Sequence, residues 1–152
     1  MRIVAATALS VSLFAAVAAS PLLAQAPAPA APAPAAAAPA AGDPAAGERV
    51  FAQCRACHQV GETARNGVGP NLNGLFGRKA GSVEGFNYSP AFKTPAVAEK
   101  VWSPENFAVY IRNPREVTPG TRMVFAGIRS DNQIADLTAY LRQFGADGKR
   151  TQ

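Results

Sequence analysis

Cys54-Arg55-Ala56-Cys57-His58 is the stretch on which the rest of the chain turns. Its form is C-x-x-C-H, the attachment motif of c-type haem. Two thiols three residues apart on one helical turn can each add to a vinyl group of the same porphyrin. The next residue then places its imidazole within reach of the iron. Three other readings compete. A thioredoxin-like redox pair belongs in a βαβ context, and no such pattern surrounds these residues. A zinc site needs further Cys or His ligands, yet the chain holds only two Cys and one His. A disulfide between Cys54 and Cys57 suits an exported protein but leaves His58 without a role. Covalent haem uses all three residues.

The scarcity of ligands extends to the sixth iron position. Met1 is the initiator, so Met123 is the other of two methionines and the only one beyond the start. A His/Met pair is an established haem ligation that raises the potential. Met123 as simple core filler is the competing reading. Its place in the turn Pro119-Gly120-Thr121-Arg122-Met123, off any helix face, favours the ligand. Iron with both axial positions filled offers no open site to substrate, which points to electron transfer over peroxide or oxygen chemistry.

Composition bounds the remainder. The 152 residues are 48% hydrophobic, but 21 of the 33 alanines fall in the first 50 positions. Charged residues are 16% and the net charge is +5, with Lys and Arg scattered. Neither a disordered polyelectrolyte nor a basic nucleic-acid tail fits that pattern. Arg2 is the only charge before Asp43, and residues 3–23 are uncharged and mostly apolar. This reads as an export signal, ending near Ala24-Gln25-Ala26. The alternative is an uncleaved anchor, because 21 residues meet the length for spanning a bilayer. Every residue from Ala26 to Ala41 is Ala or Pro. Such a segment forms neither helix nor sheet and reaches about 50 Å as an extended spacer. The expected organisation is an export signal or anchor over 1–26, a linker over 27–42 and one folded domain over 43–152.

Within the domain, Asp43-Pro44 predicts a helix start, with an N-cap acceptor followed by proline. Ser103-Pro104-Glu105 predicts another, carrying Phe107, Tyr110 and Ile111 and ending at Asn113-Pro114. Ser130 to Gln133 predicts a capping box. It opens a third helix along Ile134, Leu137, Leu141 and Phe144, with Gly145 as C-terminal cap. Nothing from Gly61 to Pro95 alternates like a strand. Three helices and long Gly/Pro/Asn-rich loops imply an all-α fold whose loops wrap a large buried group.

The sequence resembles a class I cytochrome c, the mono-haem soluble type of mitochondria and bacteria. The resemblance runs from about Gly42 to Phe144. It rests on Cys54-x-x-Cys57-His58, on Gly69-Pro70-Asn71-Leu72-Asn73-Gly74-Leu75-Phe76-Gly77-Arg78-Lys79, and on Gly85-Phe86-Asn87-Tyr88-Ser89. Trp102, Tyr110 with Asn113-Pro114, and Pro119 to Ile128 follow in the family's order. The resemblance implies the small cytochrome c fold with one haem c, attached through Cys54 and Cys57, with His58 and Met123 as axial ligands. It further implies that Pro70 offers its carbonyl to His58 and that Arg78, Tyr88 and Trp102 bond or compensate the propionates. Tyr110 is expected to bond the Met123 sulfur, Thr121 to belong to the haem pocket, and Phe125 to pack at the exposed haem edge. Gly47 and Phe51 are expected to cross the last helix at Leu137 and Tyr140.

Some positions depart from the family. Gln53 stands where Lys often precedes the first Cys. Phe92 falls about where the family often has a buried Asn near the inner propionate. Lys93 to Val101 form a longer loop. The lysine ring at the haem edge is thinned and partly arginine, with Arg65, Arg115, Arg122 and Arg129 as candidates for docking onto acidic partners. The implied function is a monomeric periplasmic one-electron carrier between a quinol–cytochrome c reductase and a terminal oxidase or photosynthetic reaction centre. The same carrier tethered to the membrane is one alternative. A haem peroxidase, or an electron-accepting partner of a periplasmic dehydrogenase, is the other.

Overall fold

Proline opens four of the five α-helices among the described residues. These are α1 (Pro44–Phe51), α2 (Pro95–Ala98), α3 (Pro104–Arg112) and α4 (Pro114–Val117), with α5 (Asp131–Arg142) the exception. Proline at the first helical position gives up a donor that has no partner there anyway. The N-cap residues supply acceptors for the next free N–H groups: Asp43 takes Ala45 N–H at 2.8 Å and Asn113 takes Glu116 N–H at 3.3 Å. The computed structural model describes residues 41–151. The expectations for residues 1–26, and for nearly all of the Ala/Pro segment, lie outside them.

The fold is mostly helical, as expected, with two isolated β-bridges among the described residues, Lys79–Val101 and Phe144–Arg150. Three details differ from the sequence reading. The complete capping box is at Ser103, not Ser130. Asn106 N–H donates to the Ser103 hydroxyl, and the Asn106 carboxamide oxygen accepts from Ser103 N–H at 2.9 Å. At Ser130 only the hydroxyl arm forms, to Gln133 N–H at 3.4 Å. Gly145 does not cap α5. The helix closes at Gln143 in right-handed geometry, and Gly145 N–H turns to the Lys149 carbonyl. A C-terminal hook follows, and Phe144 stays buried just beyond the helix. Finally, the loop from Lys93 to Val101 contains α2, and Asn113 both ends α3 and starts α4.

The core lies where α1 crosses α5. Phe51, Leu137 and Leu141 are at most 2% exposed, and the Phe51 and Tyr140 rings sit 5.3 Å apart. Gly47 makes the crossing possible, since a Cβ there would run into the Asp136 carbonyl and the Tyr140 side chain. Asp43 N–H also donates to the Asp136 carboxylate at 2.8 Å. This crossing fixes the direction in which the chain leaves α1, and the next residues are the Cys54–His58 turn. Gly47→Ala is expected to lower stability by about 2 kcal/mol or more, as overpacking of a tight helix contact does. Guanidinium unfolding of the intact protein measures it, and an unchanged midpoint would show that the helices can separate without cost.

Candidate haem-binding site

The chain leaves α1 through tight turns, not a straight extension. Cys57 N–H and His58 N–H both donate to the Cys54 carbonyl, at 3.0 and 2.9 Å. That single turn stacks Cys54 below Cys57 and His58. The cysteines are half-buried and not joined to each other. Burial, and after it the neighbouring Cys57, pushes the Cys54 thiol up to about 11. Before haem is attached, that direction favours the neutral thiol over the thiolate.

His58 Nδ1 lies 2.7 Å from the Pro70 carbonyl oxygen. A carbonyl only accepts, so Nδ1 carries the proton and Nε2 keeps its lone pair. Burial holds the imidazole below its ordinary pKa of 6.5, with the Pro70 bond opposing. Both facts describe a neutral ring prepared to ligate through Nε2. Gly69 is the residue that sequence reasoning passed over. Any Cβ there would collide with the His58 ring, so the glycine gives the imidazole its place. Its position directly before Pro70 was the available signal.

The other end of the site is built by α3 and the loop after α4. The Tyr110 hydroxyl donates to the Met123 sulfur at 3.4 Å. Thr121 holds the methionine from its main-chain side, accepting from Met123 N–H at 3.2 Å. A thioether sulfur has two lone pairs, so one stays available to a metal. Trp102 packs edge-on against Tyr110 with centroids 5.1 Å apart. Its backbone exchanges bonds with the Gly77–Arg78 segment at 2.8 and 2.9 Å, which brings Trp102 and Arg78 side by side. Phe125 is half-buried against the core cluster.

Arg78 is tied into the loop on one side and unpartnered on the other. Two of its nitrogens already serve the main chain, donating to the Asn73 and Asn71 carbonyls at 2.7 and 3.1 Å. Its Nε is buried without a partner. So is the hydroxyl of Ser89, a residue 5% exposed and next to Tyr88. Tyr88 accepts from Val83 N–H at 3.3 Å, which leaves its own O–H to give. Three donors without acceptors on neighbouring segments fit the anionic propionates of a haem. Phe92 occupies about the position of the family's frequent buried Asn. It stacks on Tyr88 at 5.6 Å and meets Tyr110 edge-on at 6.1 Å, so aromatic packing replaces a hydrogen-bond network. Arg65, Arg115, Arg122 and Arg129 are all exposed. Arg122 also donates to the Asn87 carbonyl at 2.8 Å, tying the methionine loop to the Tyr88 loop.

Comparison with known proteins agrees with this geometry. The cytochrome c family model matches residues 44–145. The chain is 52% identical over 103 residues to cytochrome c-554 of Methylosinus trichosporium, covering 68% of this chain and 76% of that protein. It is 54% identical over 100 residues to a cytochrome c2 of Rhodoplanes tepidamans, covering 66% and 91%. Among solved structures it is similar to cytochrome c2 from Rhodospirillum centenum, with a TM-score of 0.63 and 40% identity over 68% of this chain and 99% of that one. Cytochrome cH from Methylobacterium extorquens gives a TM-score of 0.61 at 40% identity, covering 67% and 99%.

Burial pushes the Tyr110 phenol from 10.0 up to about 12, against the opposing Thr121 bond. Between those values only the unfolded chain gives up the proton. Stability is therefore whole below pH 10 and falls as pH rises towards 12. Tyr110→Phe is expected to flatten that part of the alkaline unfolding curve, and equal slopes in the two proteins would contradict the placement of the phenol.

Proposed function

The chain belongs to the cytochrome c family, and from that premise we propose that His58 and Met123 are the two axial ligands of its iron. It is a class I, mono-haem c-type electron carrier and not an enzyme, with haem attached at the Cys54-x-x-Cys57-His58 site. When bound, the haem supplies the one-electron ferric/ferrous couple.

The observation that carries the ligand assignment is the 2.7 Å bond from His58 Nδ1 to the Pro70 carbonyl. It fixes the tautomer, turns Nε2 away from the loop and raises the basicity of the ring. The Tyr110 hydroxyl does the matching job on Met123 by engaging one sulfur lone pair and so orienting the other. His58 is held by the Pro70 carbonyl from the loop at 70–73 and Met123 by Tyr110 of α3, so neither need move when the charge of the site changes. Low reorganisation is what an electron carrier needs. Arg78 Nε, the Ser89 hydroxyl and the Tyr88 O–H are the donors available to the propionates, with Trp102 beside them.

Docking is assigned to the haem edge. Val68 and Val124, 80% and 89% exposed, lie one residue from Gly69 and from Met123. Single exposed valines are ordinary, but these two flank the two ligand loops. Arg65, Arg115, Arg122 and Arg129 supply positive charge for steering towards acidic partners. The partners proposed are a quinol–cytochrome c reductase as donor and a terminal oxidase or photosynthetic reaction centre as acceptor. The location proposed is the periplasm, with residues 1–26 as export signal, 27–42 as linker and 43–152 as the haem domain. Retention of residues 3–23 would give the same carrier on a membrane tether, with the Ala/Pro segment as its spacer. The N-terminal sequence of the mature protein separates the two.

Met123→Ala is expected to abolish the near-infrared sulfur–iron band and to raise peroxidase turnover from a negligible starting level. Retention of the band would remove Met123 from the iron.

A further inference from the structure

We infer that Asn73 is a positioning residue for His58, acting through a clamp between the segment after the histidine and the loop that carries Pro70. The inference rests on the reading of His58 as an iron ligand. Residues 58–61 and 70–73 run beside each other and are joined at three levels. His58 Nδ1–H donates to the Pro70 carbonyl at 2.7 Å. Leu72 N–H donates to the Gln59 carbonyl at 2.9 Å. At the far end the Asn73 carboxamide closes both main-chain groups of Gly61, accepting from its N–H and donating to its carbonyl, each at 2.9 Å. A carboxamide that both gives and accepts on one residue fixes direction as well as distance. Asn73 is 9% exposed, so its bonds form largely out of water, where an unpaired partner is costly.

Two further contacts lock the clamp. Arg78 donates to the Asn73 and Asn71 carbonyls, so the loop cannot peel away on its outer side. The C-terminal hook closes over the pair at Gly148, which has φ +78°. A Cβ there would collide with the Gly61 carbonyl and come within 2.7 Å of the Asn73 amide nitrogen. Asn73, Gly61 and Gly148 would act on the iron only through His58. The effect of the clamp is to hold the Pro70 carbonyl at the right distance from His58. A ring that shares less of its Nδ1 proton is a weaker donor and supports the ferric charge less. Loosening the clamp therefore raises the reduction potential.

The test uses the haem-loaded protein with Asn73→Ala, and Ile134→Val in the α1–α5 core as a control for general destabilisation. Two readouts are taken: the solvent exchange rate of the His58 Nδ1 proton by NMR, and the reduction potential. Asn73→Ala is expected to accelerate exchange about ten-fold or more, as loss of a buried bond pair permits, and to shift the potential upwards. Ile134→Val is expected to lower the melting temperature while leaving both readouts in place. Unchanged exchange and potential in Asn73→Ala, or equal movement of both in the control, would overturn the inference. If Asn73→Ala does not fold, Asn73→Asp keeps the acceptor for Gly61 N–H but loses the donor and adds a charge that moves the potential by itself, so it is held to the exchange rate alone: faster exchange supports the clamp and unchanged exchange overturns it. The ligand reading fails separately. Absence of strongly displaced His58 ring signals in the unaltered ferric protein overturns it, and the premise of the clamp with it.

Discussion

The hydrogen bond between His58 and the Pro70 carbonyl is the constraint on which the rest of the structure depends. It needs a neutral imidazole with its proton on Nδ1, a carbonyl at 2.7 Å, and no side chain in the space between. Each requirement is met by a different part of the chain. Burial keeps the ring neutral. Gly69 leaves room for it. The turn at Cys54–His58, hung from α1, sets where the ring starts. The α1–α5 crossing in turn sets where α1 ends.

The opposite side of the site follows the same logic with weaker bonds. A thioether offers little for a protein to hold, so Met123 is located by what surrounds it. Tyr110 reaches its sulfur and Thr121 reaches its main chain. The loop is then pinned where Gly127 passes the end of α3. There a Cβ would strike the Arg112 carbonyl, and φ is +93°. Ile128 N–H donates to the Ile111 carbonyl at 2.9 Å. The methionine loop thus has few atoms of its own in the core and borrows its order from α3. That dependence explains why so short a domain tolerates so much chain outside helices: its loops are built to face a large rigid group that supplies missing core.

How much of this was legible in the sequence depended on how rare the chemistry is. With two Cys, one His and one Met beyond the start, the attachment and ligand residues stood out by elimination. Asp43-Pro44 and Ser103-Pro104 marked helix starts because an acceptor before proline has few other uses. What stayed hidden was local or many-bodied. Helices α2 and α4 have four residues each, scarcely more than one turn, and so show no period. The capping box at Ser103 escaped because Asn, not Glu or Gln, fills its third position. Arg78 was expected to face an anion. Nothing in its spacing showed that two of its nitrogens would go to main-chain carbonyls. Asn73 and Gly148 act only through contacts between distant segments, which no linear pattern encodes.

The central claim is that one haem is fixed to this chain through both cysteines and completes its core. The most direct measurement is the reduced pyridine haemochrome spectrum of the purified protein after acid–acetone extraction. The account requires all the haem to stay with the polypeptide, one per chain, with the α band of a porphyrin whose two vinyl groups are saturated. Haem that moves into the acetone, or a band shifted to that of a porphyrin with a free vinyl group, would contradict it.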